Sequence, residues 1–163
     1  MIWCLLLAFP AAMLAAAIHD LATMEIPNWL VAGLCLVFFP YAAAVGSSWE
    51  PVAFHAASGF VVLILTFGCF TAGWMGGGDA KLIAAVALWL GLGPQFLSFL
   101  VWMSIFGGIL TLGLLLARRC FAPTTGLRPL DRLLGRETGI PYGVAIGAAG
   151  LAEFPRLLAA MPL

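Results

Sequence analysis

Apolar residues in this chain come in long blocks, and the few polar residues fall between them rather than alternating with them. From Met1 to Ile18 no side chain is charged, and His19-Asp20 ends the run. Blocks of this length approach the ~20 residues that carry a helix across a bilayer, where the helix satisfies its own backbone hydrogen bonds. The first block predicts helix one. A second helix follows from about Trp29 to Val45, closed by the turn-rich Gly46-Ser47-Ser48-Trp49-Glu50-Pro51. The third spans about Val52 to Met75. The uncharged stretch from Leu82 to Ala117 is too long for one span and holds Gly91-Leu92-Gly93-Pro94 inside it. It predicts a short helix four and a longer helix five. The last helix begins near Gly139 and runs to about Leu158.

Composition points the same way. Of 163 residues, 64% are hydrophobic and 9% charged, where a soluble domain carries roughly 25% charged residues. The mean hydropathy of +1.12 is more apolar surface than one small core can hide. The expected fold class is therefore all-α, a polytopic membrane protein with six transmembrane helices in a single domain over residues 1–163. Its polar connections lie at about 20–28, 76–81 and 118–138. The first helix is read as retained, because Met1-Ile2-Trp3-Cys4 lacks the basic start of a secretory signal, although Ala15-Ala16-Ala17 resembles a small-residue cleavage site. Cys4, Cys35, Cys69 and Cys120 are isolated and form neither a CxxC metal pair nor a disulfide framework.

Seven Lys and Arg balance seven Asp and Glu, so the basic footprint of a nucleic-acid partner is missing. The distribution of these charges is uneven. Lys81, Arg118, Arg119, Arg128, Arg132 and Arg136 fall on one side of a six-span topology and Arg156 on the other. The positive-inside rule makes the first side cytoplasmic and puts both termini outside. Asp131 and Glu137, among these arginines, are read as offsetting them. Gly143 with Gly147, and Gly73 with Gly77, have the small-xxx-small spacing of close helix packing.

Ionisable groups near lipid are costly unless water, a partner or a mechanism holds them. Asp20 and Asp79 are such groups. Two complete spans separate them, and an even number of crossings returns the chain to the same side. Two carboxylates at one depth share a proton, one acting as base toward water and the other as acid toward a carbonyl. Asp79 after Gly76-Gly77-Gly78 also fits a helix N-cap, and Asp20 a solvated loop acid. Helix polarity alone would leave the shared proton on Asp20, at the negative end of helix one, with Asp79 at the positive end of helix four.

Three motifs go beyond spacing. Asp20-Leu-Ala-Thr-Met-Glu-Ile26-Pro27-Asn28, then Gly76-Gly77-Gly78-Asp79-Ala80-Lys81, then Ile140-Pro141-Tyr142-Gly143 together resemble the type IV prepilin peptidase family of GxGD aspartyl proteases. The resemblance implies six helices, catalytic aspartates at Asp20 and Asp79, no metal or other cofactor, and cleavage of prepilin leader peptides at the cytoplasmic face of the bacterial inner membrane. Larger relatives carry a cysteine-paired insertion between the first two helices, associated with N-methylation. Here only Leu21 to Asn28 separates Asp20 from helix two, so the chain resembles the short, peptidase-only form of Flp/Tad pilus systems. The implied partners are prepilins or pseudopilins with a basic leader and an apolar helix, together with membrane lipids.

The supporting residues of the site are Gly76, Gly77, Gly78, Lys81, Pro27, Asn28, Pro141, Tyr142 and Gly143. Gly76 and Gly78 lack a Cβ that would hold a substrate backbone away from Asp79, and they permit φ > 0. Pro141-Tyr142-Gly143 opens the last helix on the same side and is expected to pack under the glycine turn. Lys81 is read as a snorkelling lysine or a receptor for an acidic group, and Glu25 as a solvated acid or a receptor for a basic leader. A serine protease would use His55 and Ser58, but these share one helix at the opposite side, as does any metal site built on His55. The rival from another class is a transporter or assembly subunit in which Asp20 and Asp79 relay protons. Acids near the midplane would suit that rival better than acids at the boundary.

Overall fold

A computed structural model describes residues 2–121, 124, 126, 128–135 and 138–159. Arg136 and Glu137, counted above among the loop charges, lie outside the described residues. The described chain is all-helical: α1 (Ile2–Thr23), α2 (Asn28–Ala44), α3 (Trp49–Thr71), α4 (Gly77–Leu90), α5 (Pro94–Cys120), α6 (Arg128–Leu134) and α7 (Tyr142–Ala159).

The short helix α4 is the centre of the bundle. Every residue from Leu82 to Leu90 is buried, and α2, α3 and α7 all pack against α4. A helix that is apolar on all sides must be enclosed. Near its far end, Trp89 Nε1–H donates to the Leu34 carbonyl at 3.0 Å, and the Trp89 ring meets Tyr41, Phe9 and Phe38 at centroid distances of 5.1, 5.4 and 5.8 Å. Glycine at 91, with φ +69°, then turns the chain into α5, and Ser58 Oγ of α3 accepts the Leu92 N–H at 3.0 Å to fasten that turn.

Three helices, α1, α3 and α5, are long and apolar enough to cross a membrane. Only 11% of the most apolar window of α3, and the same share of α5, is buried within the protein. Phe60, Ile64 and Phe67 on α3, and Val101, Ile109 and Leu112 on α5, point outward. In water these rows would be a large apolar patch; in a bilayer they are the lipid face. The fourteen residues of α4 reach only about 21 Å, less than the ~30 Å hydrocarbon core. The expected short helix four and longer helix five are both present, and among the described residues three long apolar helices enclose shorter ones.

Several expected boundaries move. Helix α1 continues past Ile18 to Thr23, so Asp20 lies within it rather than after it. Met24, with φ +62°, ends the helix in the left-handed region. α3 begins at Trp49 and stops at Thr71, which leaves Gly73 in a turn with φ +75° and not on a helix–helix seam with Gly77. The connection after α5 is not only loop, because it folds the additional helix α6.

α1 and α7 are in close contact along glycine positions. A Cβ at Gly147 would stand 2.6 Å from the Met13 carbonyl oxygen and 3.0 Å from Ala17 Cβ; one at Gly150 would stand 2.6 Å from Met13 Sδ. The absent side chains let the two backbones approach. Gly147→Ala is therefore expected to push α1 and α7 apart and to cost about 1–3 kcal/mol. Unfolding of the purified variant in a detergent titration checks this, and a midpoint equal to wild type would show that the contact yields.

Candidate functional site

α1 and α4 each bring one carboxylate to the same end of the bundle. Asp20 is in the last turns of α1 and is buried, with 5% of its surface exposed. Its Oδ2 accepts the Gly143 backbone N–H at 2.7 Å. Asp79 stands in the first turn of α4 as the third residue after the N-cap, which is Gly76 and not Asp79 itself. The Gly76 backbone N–H is directed at the Asp79 carboxylate, one half of a capping box.

Both acids line one cavity of about 870 Å³, open at this end of the bundle. Its wall includes Glu25 and Ile26 from the α1–α2 connection, Gly73 to Gly78 before and within α4, Met103 of α5, and Thr138 to Ile140 with Tyr142 from the approach to α7. The two helices between Asp20 and Asp79, α2 and α3, return the chain to one end. Burial, and then the neighbouring Asp20 charge, push the Asp79 carboxyl up to about 6. Helix polarity alone would have lowered it. At Asp79 desolvation and like charge outweigh the positive end of α4, while Asp20 faces the positive end of a different helix, α7, where a backbone N–H reaches it.

The glycines act differently from the expectation. Gly76 has φ −70° and Gly78 is helical, so neither uses the left-handed region; Gly73 does. A Cβ on Gly76 would stand 2.9 Å from Asp79 Oδ2, so its absence leaves room for the carboxylate. Gly77 makes room for Phe70, at 3.2 Å. At Gly78 a Cβ would stand 3.1 Å from Ile26 Cβ, and at Gly143 a Cβ would stand 2.9 Å from Ile26 Cδ1 and 2.8 Å from Asp20 Oδ2. Ile26 is thus the wedge between the glycine turn and α7, and Pro141-Tyr142-Gly143 meets that turn through Ile26. Sequence reasoning passed over Ile26, although it lies inside the first motif.

The remaining supporting residues divide between the wall and its frame. Lys81 and Tyr142 are in the wall. Asn28 is behind it: Lys81 Nζ donates to Asn28 Oδ1 at 2.7 Å, tying α4 to α2. Pro27 is the N-cap residue of α2, and Pro141 is buried under the start of α7. The Tyr142 ring lies 3.2 Å from the Cβ position of Gly107 on α5. Met24, Trp74, Met75 and Met103, none of them singled out by the sequence, add a soft apolar lining. No local spacing marks them, because they come from three separate segments.

The arginines of the basic segment frame the cavity mouth. Arg132 of α6 donates to the Thr23 carbonyl at 3.1 Å, where α1 ends with its carbonyls unpaired. Arg118 Nε donates to the Leu133 carbonyl at 2.8 Å and its Nη2 to the Gly139 carbonyl at 2.9 Å. These two arginines therefore bind backbone carbonyls as well as carrying positive charge. At the α1 terminus, His19 Nδ1–H donates to the Glu25 carbonyl at 2.8 Å. At the opposite end of α4, His55 Nδ1–H donates to the Leu88 carbonyl at 2.9 Å, away from both aspartates.

A shared cavity predicts a chemical link between its two acids. In a chain with its four native cysteines replaced, Asp20→Cys and Asp79→Cys together are expected to be joined by a short bis-thiol reagent, while either alone is only singly modified. Mass spectrometry reads the link. Two accessible thiols that never join would place the side chains in separate sites.

Comparison with known proteins gives one result. The model of the type IV leader peptidase family matches residues 7–112, a stretch that carries both Asp20 and Asp79 and ends before Pro141. Neither a curated protein nor a solved structure matches the chain. The match covers well over half of the sequence, and with two carboxylates meeting in one cavity of an apolar helical bundle, the chain belongs to the type IV leader peptidase family.

Proposed function

We propose that this protein is an aspartyl endopeptidase that removes the leader peptide of type IV prepilins of the Flp/Tad kind, with Asp20 and Asp79 as its catalytic pair. The observation that carries the reading is the entry of both carboxylates into a single cavity, with Asp20 acting on Asp79 electrostatically. Family membership supports peptidase activity. The short Leu21 to Asn28 connection supports a peptidase without the methyltransferase insertion.

In this reading the pair shares one proton. The ionised carboxylate takes a proton from water as its oxygen attacks the scissile carbonyl carbon, and the protonated carboxyl gives its proton to the carbonyl oxygen. The tetrahedral diol collapses when the leaving nitrogen receives a proton from the first carboxyl and the second recovers one from the diol. Burial disfavours charge on both carboxyls; the Gly143 N–H offsets it at Asp20, while Asp79 also meets the Asp20 charge, which favours Asp20 as the ionised member and Asp79 as the protonated one.

A substrate with a basic leader followed by an apolar helix suits this architecture. Its helix remains in lipid beside the long apolar faces of α3 and α5, and its leader meets the polar rim, where Glu25 lies. By the positive-inside rule, the rim with Lys81, Arg118 and Arg132 is the cytoplasmic one, in the inner membrane of a bacterium.

Co-expression with a Flp-type prepilin tests the reading. Wild type is expected to produce the mass shift of leader removal, and Asp20→Asn or Asp79→Asn to lower the rate at least ~10³-fold while remaining in the membrane. Full cleavage by either variant would remove that residue from the mechanism. A protonated Asp79 also sets a pH dependence: kcat/KM is present below about 6 and declines as pH rises through it. That midpoint belongs to the pair. A rate unchanged between pH 5 and 8 would overturn the assignment of the acid.

A further inference from the structure

The contact that fixes Asp20 comes from the far end of the sequence, outside the stretch matched by the family model. Gly143 N–H donates to Asp20 Oδ2 at 2.7 Å, across 123 positions of chain, whereas the Val144 N–H donates to the Pro141 carbonyl at 3.2 Å. Pro141 has no N–H and is buried. The Tyr142 N–H is already engaged with the Ile140 carbonyl at 2.8 Å. The donor that α7 offers Asp20 from its first turn is therefore the Gly143 N–H, at the partially positive end of the helix.

The fit at Gly143 is closed on the same side. A Cβ there would stand 2.8 Å from Asp20 Oδ2 and 2.9 Å from Asp20 Cβ. The N–H that holds the carboxylate and the missing side chain that lets it approach belong to one residue.

We propose that Gly143 is a positioning residue for catalysis: it holds the Asp20 carboxylate in its charged form, in one orientation toward Asp79, and so makes Asp20 the base of the pair. The inference rests on the aspartyl-peptidase reading for its catalytic meaning; the contact itself does not.

The charged or titratable groups around Asp20 are Asp79 and Lys81 from α4, His19 and Glu25 at the end of α1, Arg132 of α6 and Tyr142. None is altered by a change at Gly143. Replacing Gly143 by Ala is expected to lower kcat at least ten-fold, leave KM within two-fold, and move the acid limb of the pH profile up by about one unit, since losing a hydrogen bond to a charged group is a roughly ten-fold change in proton affinity. Gly150→Ala, whose methyl meets the flexible end of the Met13 side chain about two helical turns from Gly143, is the comparator. It lowers the active amount and leaves both limbs in place. If Gly143→Ala keeps the wild-type limbs, Gly143 only packs and the proposal falls.

Should Gly143→Ala fail to fold, glycolate at position 143 deletes the N–H and adds no atom, and the same shift is expected of it. A second readout is independent of cleavage. In glycine-¹⁵N-labelled protein, Asp20→Asn is expected to move the Gly143 amide proton upfield by at least ~0.5 ppm and to leave Gly147 in place, because the acceptor loses its charge. An unmoved Gly143 resonance would sink the contact even in an active enzyme. A wild type that cuts no prepilin, with the resonance shifted as expected, would sink the peptidase reading and leave the contact standing.

Discussion

The fold depends on one constraint: α4 is apolar on every side and too short to cross a bilayer alone. It has to be enclosed by other helices, and α2, α3 and α7 enclose it. That enclosure brings its N-terminal turn, with Asp79, to the base of a cavity in place of the membrane surface. A longer or more amphipathic α4 would leave Asp79 facing bulk water, where an acid keeps its ordinary proton affinity and has no reason to share a proton. Burial of the helix thus creates the electrostatic condition at its first turn.

The second acid is placed by contact between α1 and α7. Without side chains at Gly143, Gly147 and Gly150, the two helices approach until a carboxylate on one meets the first free N–H of the other. Ile26 fills the remaining space against Gly78, so the same close packing links Asp20 to the turn that carries Asp79. Lys81 and Asn28 tie α4 to α2 at the rim. These contacts are short, directional and remote in sequence, and they hold two groups whose charges would otherwise separate them.

Arginines of the α5–α7 connection make a third kind of contact. Arg132 meets the carbonyls that α1 leaves unpaired at its end, and Arg118 donates to the carbonyls of Leu133 in α6 and of Gly139. A guanidinium offers several donors in a fixed plane and stays charged, which suits it to carbonyls at a polar rim. The basic segment therefore frames the cavity mouth as well as carrying charge.

The sequence by itself determined the class of the molecule and the identity of its two acids. Long uncharged blocks require lipid and helices, and Asp20 and Asp79 stand out because so little else is charged. Their common end followed from parity, which needs only the number of helices between them. Tertiary structure decided what counting cannot reach: that Asp20 lies within α1, that Gly76 and Gly78 make room for a carboxylate and an isoleucine without using the left-handed region, and that the short α4 is enclosed by α2, α3 and α7. It also decided that burial and like charge overrule helix polarity at Asp79. Proton affinity and close packing depend on neighbours distant in the chain, whereas hydropathy and parity are summed along it.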